Sequence, residues 1–231
     1  MDETAGRAPL DPDQLAALAS LEDPTRRRLY ELVAASREPV TRDQAAEALG
    51  VDRSLAAYHL DRLVAEGLLA ASFARPAGRG GPGAGRPAKR YARAEEEFAV
   101  TVPARDYRLV AELLARAAEA DPSGSVSAAL RDAATALGRE QAAARAGAGD
   151  DASALAAHLA QQGFEPFDDG GVVRLGNCPF HQLARDHTEL VCGMNLALLS
   201  GVVEALAPGA RPRLDPAPDR CCVAIDLPAG A

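Results

Sequence analysis

Cys178 and Cys192 bracket the stretch CPFHQLARDHTELVC, a C-x2-H-x5-H-x4-C spacing, and after 28 intervening residues a doubled Cys221-Cys222 follows Arg220. Thiolate sulfur is a soft donor suited to iron–sulfur clusters, zinc or cuprous copper, and imidazole widens the choice of metals. If a helix begins at Pro179, Cys178 and His181 lie together at its start. A turn near Asp186-His187 would bring Cys192 back, and a strand carrying residues 221 and 222 would close the site. Neighbours on a strand point to opposite faces, so one of Cys221 and Cys222 is expected in the site and the other in the core. The candidate ligands are thus Cys178, Cys192, Cys221 and Cys222, with His181 and His187 as further candidates. The spacing matches no standard zinc-finger or ferredoxin ligand run. Free cysteine is also among the most buried residue types, so simple core packing competes with ligation. The same side chains could serve a thiol redox switch, or an enzyme in which His181 or His187 activates Cys178 or Cys192.

A second constellation lies near the other end of the chain. The segment 52–62, DRSLAAYHLDR, has the pattern of a recognition helix, which must pack one face and show short polar or basic groups on the other. With Leu55, Leu60 and Leu63 inward, Arg53, Ser54, Ala57, Tyr58 and Arg62 are left to meet bases and phosphates. Residues 71–93 carry Arg75, Arg79, Arg86, Lys89, Arg90 and Arg93 and no acid. Within them PAGRGGPGAGRP is too rich in Gly and Pro for a helix or ladder, so a loop presenting Arg79, Arg86, Lys89 and Arg90 along flanking DNA backbone is expected. His59 is expected to pack on the inner flank of the helix.

The elements that must position these groups follow from caps and periodicity. Asp11-Pro12 and Asp23-Pro24 open two helices, the first with Leu15, Leu18 and Leu21 on one stripe, the second running through Leu29, Leu32 and Val33. Thr41 caps a third ending at Gly50, and Asp52 caps a fourth ending at Gly67. Two short helices about a Gly turn, followed by extended segments around a basic loop, make a winged helix-turn-helix. FAVTV (98–102) reads as a closing strand. Tyr107, Val110, Leu113, Leu114 and Ala117, and then Val126, Leu130, Ala133 and Leu137, form helical stripes that lack a partner in the first domain and suit the same helix of a second subunit. After a linker at 146–151 come a short helix at 155–159, a hairpin turning at Asp169-Gly170-Gly171, a helical pair, and extended runs at 212–214 and 222–227.

Composition bounds the remainder. Of 231 residues 48% are hydrophobic and 25% charged, as in ordinary globular chains. The 25 basic and 33 acidic groups leave −8, which excludes a uniformly basic coat but permits a local basic stripe. Aromatics at 4% and no Trp argue against a base-stacking platform. No apolar run near 18 residues is evident, and the acidic, polar start is unlike an export signal. No membrane and a cytoplasmic location are therefore expected, and four cysteines in that compartment suit metal or redox chemistry better than disulfides.

On the residues LEDPTRRRLYELVAASREPVTRDQAAEALGVDRSLAAYHLDRLVAEGLLAA and the GRGGPGAGRPAKRYAR wing, segment 20–98 resembles the winged helix-turn-helix of ArsR-like bacterial regulators. The resemblance implies a homodimer on a double-stranded DNA operator; the metal-sensing cysteines of some such proteins are absent, leaving any sensing to the C-terminal part. From Asn177-Cys178-Pro179 through Cys192 to Arg220-Cys221 the chain resembles the iron–sulfur-sensing repressors of the Suf cluster-assembly operon. That resemblance implies a [4Fe–4S] cluster on Cys178, Cys192 and Cys221, with loaded protein on DNA and cofactor loss releasing it. His181, His187 and the doubled cysteine depart from the family pattern and leave the fourth ligand open, with zinc as the alternative cofactor.

The expected fold is α+β, mostly α: a winged helix-turn-helix with its N-terminal helix at 1–102, a helical dimerisation segment at 103–149, and a small α/β sensor domain at 150–231. The expected function is a DNA-binding regulator, a repressor by resemblance, and not an enzyme.

Overall fold

The computed structural model describes residues 11–74, 87–95, 97–98, 100, 105–143, 151–217 and 220–228. The chain forms two compact units, residues 1–105 and 106–231.

In the first unit, side-chain caps start each helix. Asp11 accepts from the Asp13 and Gln14 N–H groups to open α1 (Pro12–Ser20), and Asp23 accepts from Arg26 N–H at 2.8 Å to open α2 (Pro24–Ala34). After β1 (Val40–Thr41), Thr41 and Gln44 cap each other reciprocally at the start of α3 (Arg42–Leu49). Gly50 stops α3 with φ +63°, a conformation other residues avoid. Asp52 then caps α4 (Arg53–Ala65). The wing is β2 (Leu69–Ala74) paired antiparallel with β3 (Ala88–Arg93), Leu69 opposite Arg93 and Ala74 opposite Ala88, while β1 joins the other edge of β3. Leu29, Val33, Leu60, Leu63 and Tyr91 fill the core.

Three local expectations are corrected. Leu55 is 41% exposed and Ala56 takes the inward place, because Ala56, Leu60 and Leu63 share the helix face that meets α2 and α3. In α1, Leu15 and Leu18 are largely outward while Ala17 and Ser20 are buried. Phe98 lies outside any strand and packs against the core instead. The basic Gly/Pro loop, with Arg75, Arg79 and Arg86, and most of the 146–151 linker fall outside the described residues.

The second unit contains α5 (Tyr107–Glu119), α6 (Ser125–Ala143), α7 (Asp151–Gln161), β4 (Pro166–Asp168), β5 (Val172–Leu175), α8 (His181–Asp186), α9 (Thr188–Leu206), β6 (Arg211–Leu214) and β7 (Val223–Asp226). Its four strands form an antiparallel sheet in the order β4-β5-β7-β6. Gly170 and Gly171, both at positive φ, make the β4–β5 turn expected from Asp169-Gly-Gly. Leu155, Leu159, Phe164, Leu175, Leu199, Val203, Val223 and Ile225 form the core.

Helix α9 is the spine of this unit. Among the described residues it is the one helix long and apolar enough, by length and composition, to cross a membrane, with mean hydropathy 1.5. No such run was expected. It packs against α6, α7, α8, β6 and β7 and buries Asn195, as the central helix of a folded core does. Segment 103–149, expected as a separate dimerisation stretch, contributes α5 and α6 to this unit. The face of α6 that meets α9 is its small-residue face, Ala134, Gly138 and Ala142, so the stripe through Val126 and Leu137 faces outward. The architecture as a whole is the mostly helical α+β fold expected.

Candidate functional site

The four cysteines, which span 45 positions of sequence, meet in the second unit, with Cys221 in its core and Cys178 and Cys222 packed against that core. Cys178 stands in the loop after β5. That loop is pinned to the end of α7's return: Gly176 N–H donates to Glu165 O at 2.9 Å, Asn177 N–H to Phe164 O at 3.1 Å, and the Asn177 amide to Gly163 O at 2.7 Å. The Phe180 ring stacks edge-on against buried Phe164, fixing the start of α8. Cys192 lies in the second turn of α9. Cys221 N–H donates to Leu175 O at 2.9 Å, and Asp215 N–H to Cys222 O at 2.7 Å, which ties the doubled cysteine to β5 and to the end of β6.

Hydrogen bonds from the Cys178 and Cys222 thiols bring the Cys221 thiol well below its ordinary range, with help from Val223 N–H and the Asn195 amide and against the effect of burial. Cys178 and Cys222 are pushed up by the same contacts and by burial, and Cys222 also meets Cys192. The expectation that only one of Cys221 and Cys222 faces the site is corrected. Both precede β7, in irregular backbone, so the alternation of a strand does not separate them.

Cys221 thus pairs with both Cys178 and Cys222, and Cys222 in turn with Cys192. Among the described residues no group of three or more His, Cys, Asp or Glu is arranged to hold a single metal ion. The histidines stand apart. His181 is exposed at the start of α8. His187 is buried between α8 and α9 with both ring nitrogens engaged, Nδ1 at 2.8 Å from Glu119 Oε2 and Nε2 at 3.2 Å from Glu112 Oε2, both on α5. Those carboxylates, Glu119 first, raise the His187 pKa despite its burial.

Asn195 was missed by sequence reasoning. It is fully buried one turn beyond Cys192, and its Nδ2 donates to Cys221 Sγ at 3.3 Å. The available signal was a single carboxamide within the apolar run MNLALLSGVV.

In the first unit, α4 presents Arg53, Ser54, Leu55, Tyr58 and Arg62 to solvent, with Ala57 half-buried beside them. Arg53 Nε lies 2.5 Å from Asp43, Ser54 bonds the capping Asp52, and Arg62 pairs with Glu66 at 2.5 Å. Lys89 Nζ and Tyr91 Oη donate to Asp61 at 2.6 and 2.7 Å, fastening β3 to α4. Burial raises the Asp61 carboxyl, but these two donors together bring it below its usual range. Arg90 is half-buried on β3, and His59 is buried, accepting from Arg26 Nε at 3.3 Å as a packed residue. Arg79 and Arg86 are outside the described residues.

A helix-turn-helix domain family matches residues 21–70, the stretch from α2 into β2 that contains both helices of the turn. No curated protein and no solved structure matches the chain. The first unit therefore carries a helix-turn-helix DNA-binding domain over residues 21–70.

Proposed function

We propose that this protein is a cytoplasmic, homodimeric transcriptional repressor whose four-thiol site binds an iron–sulfur cluster and couples cofactor status to operator binding. The observation that carries the reading is the convergence of Cys178, Cys192, Cys221 and Cys222 from three separate segments of the fold. Four sulfur donors, with no carboxylate or imidazole among them, make a soft set suited to a [4Fe–4S] cluster. Cys178, Cys192 and Cys221 would hold it as in the resembled family, with Cys222 beside them. A bound cluster would supply a redox- and iron-sensitive centre there.

The protein's own part is transmission. Cys192 and Asn195 lie on α9, which crosses α6, and His187 at the start of α9 grips α5. The outer face of α5 exposes Tyr107, Val110, Leu113 and Leu114, each more than half accessible, and α6 exposes Val126 and Leu137. An apolar face of that extent suits a second copy of the chain, and a two-fold dimer would span two operator half-sites. The cofactor can shift DNA affinity only by its preference for one dimer geometry, about 1–3 kcal/mol in typical couplings. By the family resemblance, loaded protein binds DNA and cofactor loss releases it.

The test is anaerobic purification of wild type, Cys178→Ser and Cys221→Ser, with iron, sulfide and zinc analysis and binding to DNA selected from a random duplex pool. The expected result is brown protein with about four iron and four sulfide per subunit, lost in both variants, and DNA binding that falls when the cofactor is removed. Colourless protein with about one zinc per subunit would replace this reading with a structural zinc site. Metal-free protein whose DNA binding responds reversibly to oxidant would replace it with a thiol switch.

A further inference from the structure

We infer that Asn195 is a positioning residue of the thiol site, its amide N–H holding the Cys221 sulfur in place as an anionic ligand. The inference rests on the cluster reading above. Asn195 has no exposed surface; Nδ2 reaches Cys221 Sγ at 3.3 Å, and among the described residues Oδ1 has no hydrogen-bond partner. A buried amide with one half unsatisfied is a net liability for folding, and an apolar side chain of similar size would be as good or better. Packing therefore does not account for it. Its position does: it sits on α9 one turn from Cys192 and spans to the sulfur of Cys221 from another segment, so it fixes the separation of two of the four donors.

The hydrogen bond gains most when Cys221 is a ligand. A thiolate on iron retains negative charge, and N–H donation to a charged acceptor is about twice as strong as to a neutral one. Hydrogen bonds to cluster sulfurs also stabilise the more negative, reduced state and so raise the reduction potential. Loss of such a supporting contact typically weakens metal retention by about 10- to 100-fold.

The experiment uses the full chain, reconstituted anaerobically with iron and sulfide, as wild type, Asn195→Leu and Asn195→Val. Asn195→Val is close to asparagine in size but has no hydrogen to donate, and it serves if the leucine variant does not fold. Measured are iron content, reduction potential, the rate of iron release to excess ferrous chelator, and the thermal midpoint of metal-free protein. Expected are iron loading near wild type, release about tenfold faster, a more negative potential, and for Asn195→Leu a metal-free midpoint equal to or above wild type. Unchanged release and potential with loaded cluster would overturn the inference and leave the cluster reading standing. A lowered metal-free midpoint with unchanged release and potential would make Asn195 a packing residue and also overturn it. Wild type that takes up no iron would overturn both.

Discussion

Gly138 and Gly201 face each other where α6 crosses α9, so closely that a Cβ on Gly138 would lie 2.1 Å from Leu198 O and one on Gly201 would lie 2.1 Å from Thr135 O. The neighbouring atoms are backbone, which cannot rotate out of the way. Around the crossing, Thr135 Oγ1 donates to Ala197 O at 3.2 Å and Arg139 pairs with Glu204 at 2.5 Å, so both helices are held in register.

Gly138→Ala and Gly201→Ala are each expected to destabilise the protein by about 1–3 kcal/mol or more, since the helices must separate to admit the methyl. Once one methyl has parted them, the second meets less resistance, and the double variant should lose less than the sum of the two. Denaturant melts of the four proteins test this. Additive losses would mean that each methyl is absorbed locally and that α6 and α9 do not move as one.

The clamp of His187 on Glu112 and Glu119 predicts a pH dependence with a definite sign. The raised His187 pKa means that the folded chain binds the proton more tightly than the unfolded one, so the stabilisation is fully present below the ordinary histidine value of about 6.5 and is lost as pH rises through the higher folded value. Glu112 is lowered, by Arg116 first and then by His187, so its share is present above the ordinary glutamate value and is lost as pH falls through the depressed one. The difference in thermal midpoint between wild type and Glu119→Gln should therefore be largest in mildly acidic solution and shrink on the alkaline side. A difference that grows with pH would contradict the charged clamp.

The DNA-reading unit was legible because its signals are local. Asp23, Thr41 and Asp52 cap, Gly50 stops, and the heights of Leu60 and Leu63 on α4 set which side is buried. Leu55 misled because a leucine near a helix start fits an apolar pattern whether or not the domain has room for it. In the second unit the cysteines were visible as a set, but their meeting depends on pairing across 45 residues, which spacing does not encode. Cys221 does lie in the core, but the expectation that only one of Cys221 and Cys222 meets the other thiols failed because it presumed a strand that begins one residue later, at Val223. Asn195 and the His187 clamp depend on which faces of α9 and α5 turn toward each other, and that is decided by the glycine crossing and the sheet rather than by periodicity.

The proposed dimer is tested on α5. Leu113→Glu and Leu114→Glu place charge on side chains that are 58% and 66% exposed in the single chain, so little loss of folded-monomer stability is expected. Sedimentation should show monomers where wild type gives dimers, with iron content unchanged and affinity for the selected duplex reduced. Dimers that survive both substitutions would move the interface elsewhere.

On α4, Arg53 and Arg62 are expected to differ in what they contribute to DNA binding. Arg53 stands at the helix N-terminus, the end that enters the major groove in helix-turn-helix proteins, and its partner Asp43 is an exposed carboxylate from which it can swing at small loss. Arg62 lies more than two turns further along, paired with Glu66, where a contact to phosphate is the reachable one. Arg53→Ala should lose about 1–3 kcal/mol on the selected duplex and less on a scrambled one, relaxing specificity. Arg62→Ala should weaken both duplexes alike and reduce the slope of log affinity against log salt by about one unit. Titrations of both variants at several salt concentrations separate the two roles. Equal losses on both duplexes for Arg53→Ala would assign that arginine to the backbone and leave base reading to Ser54, Ala57 and Tyr58.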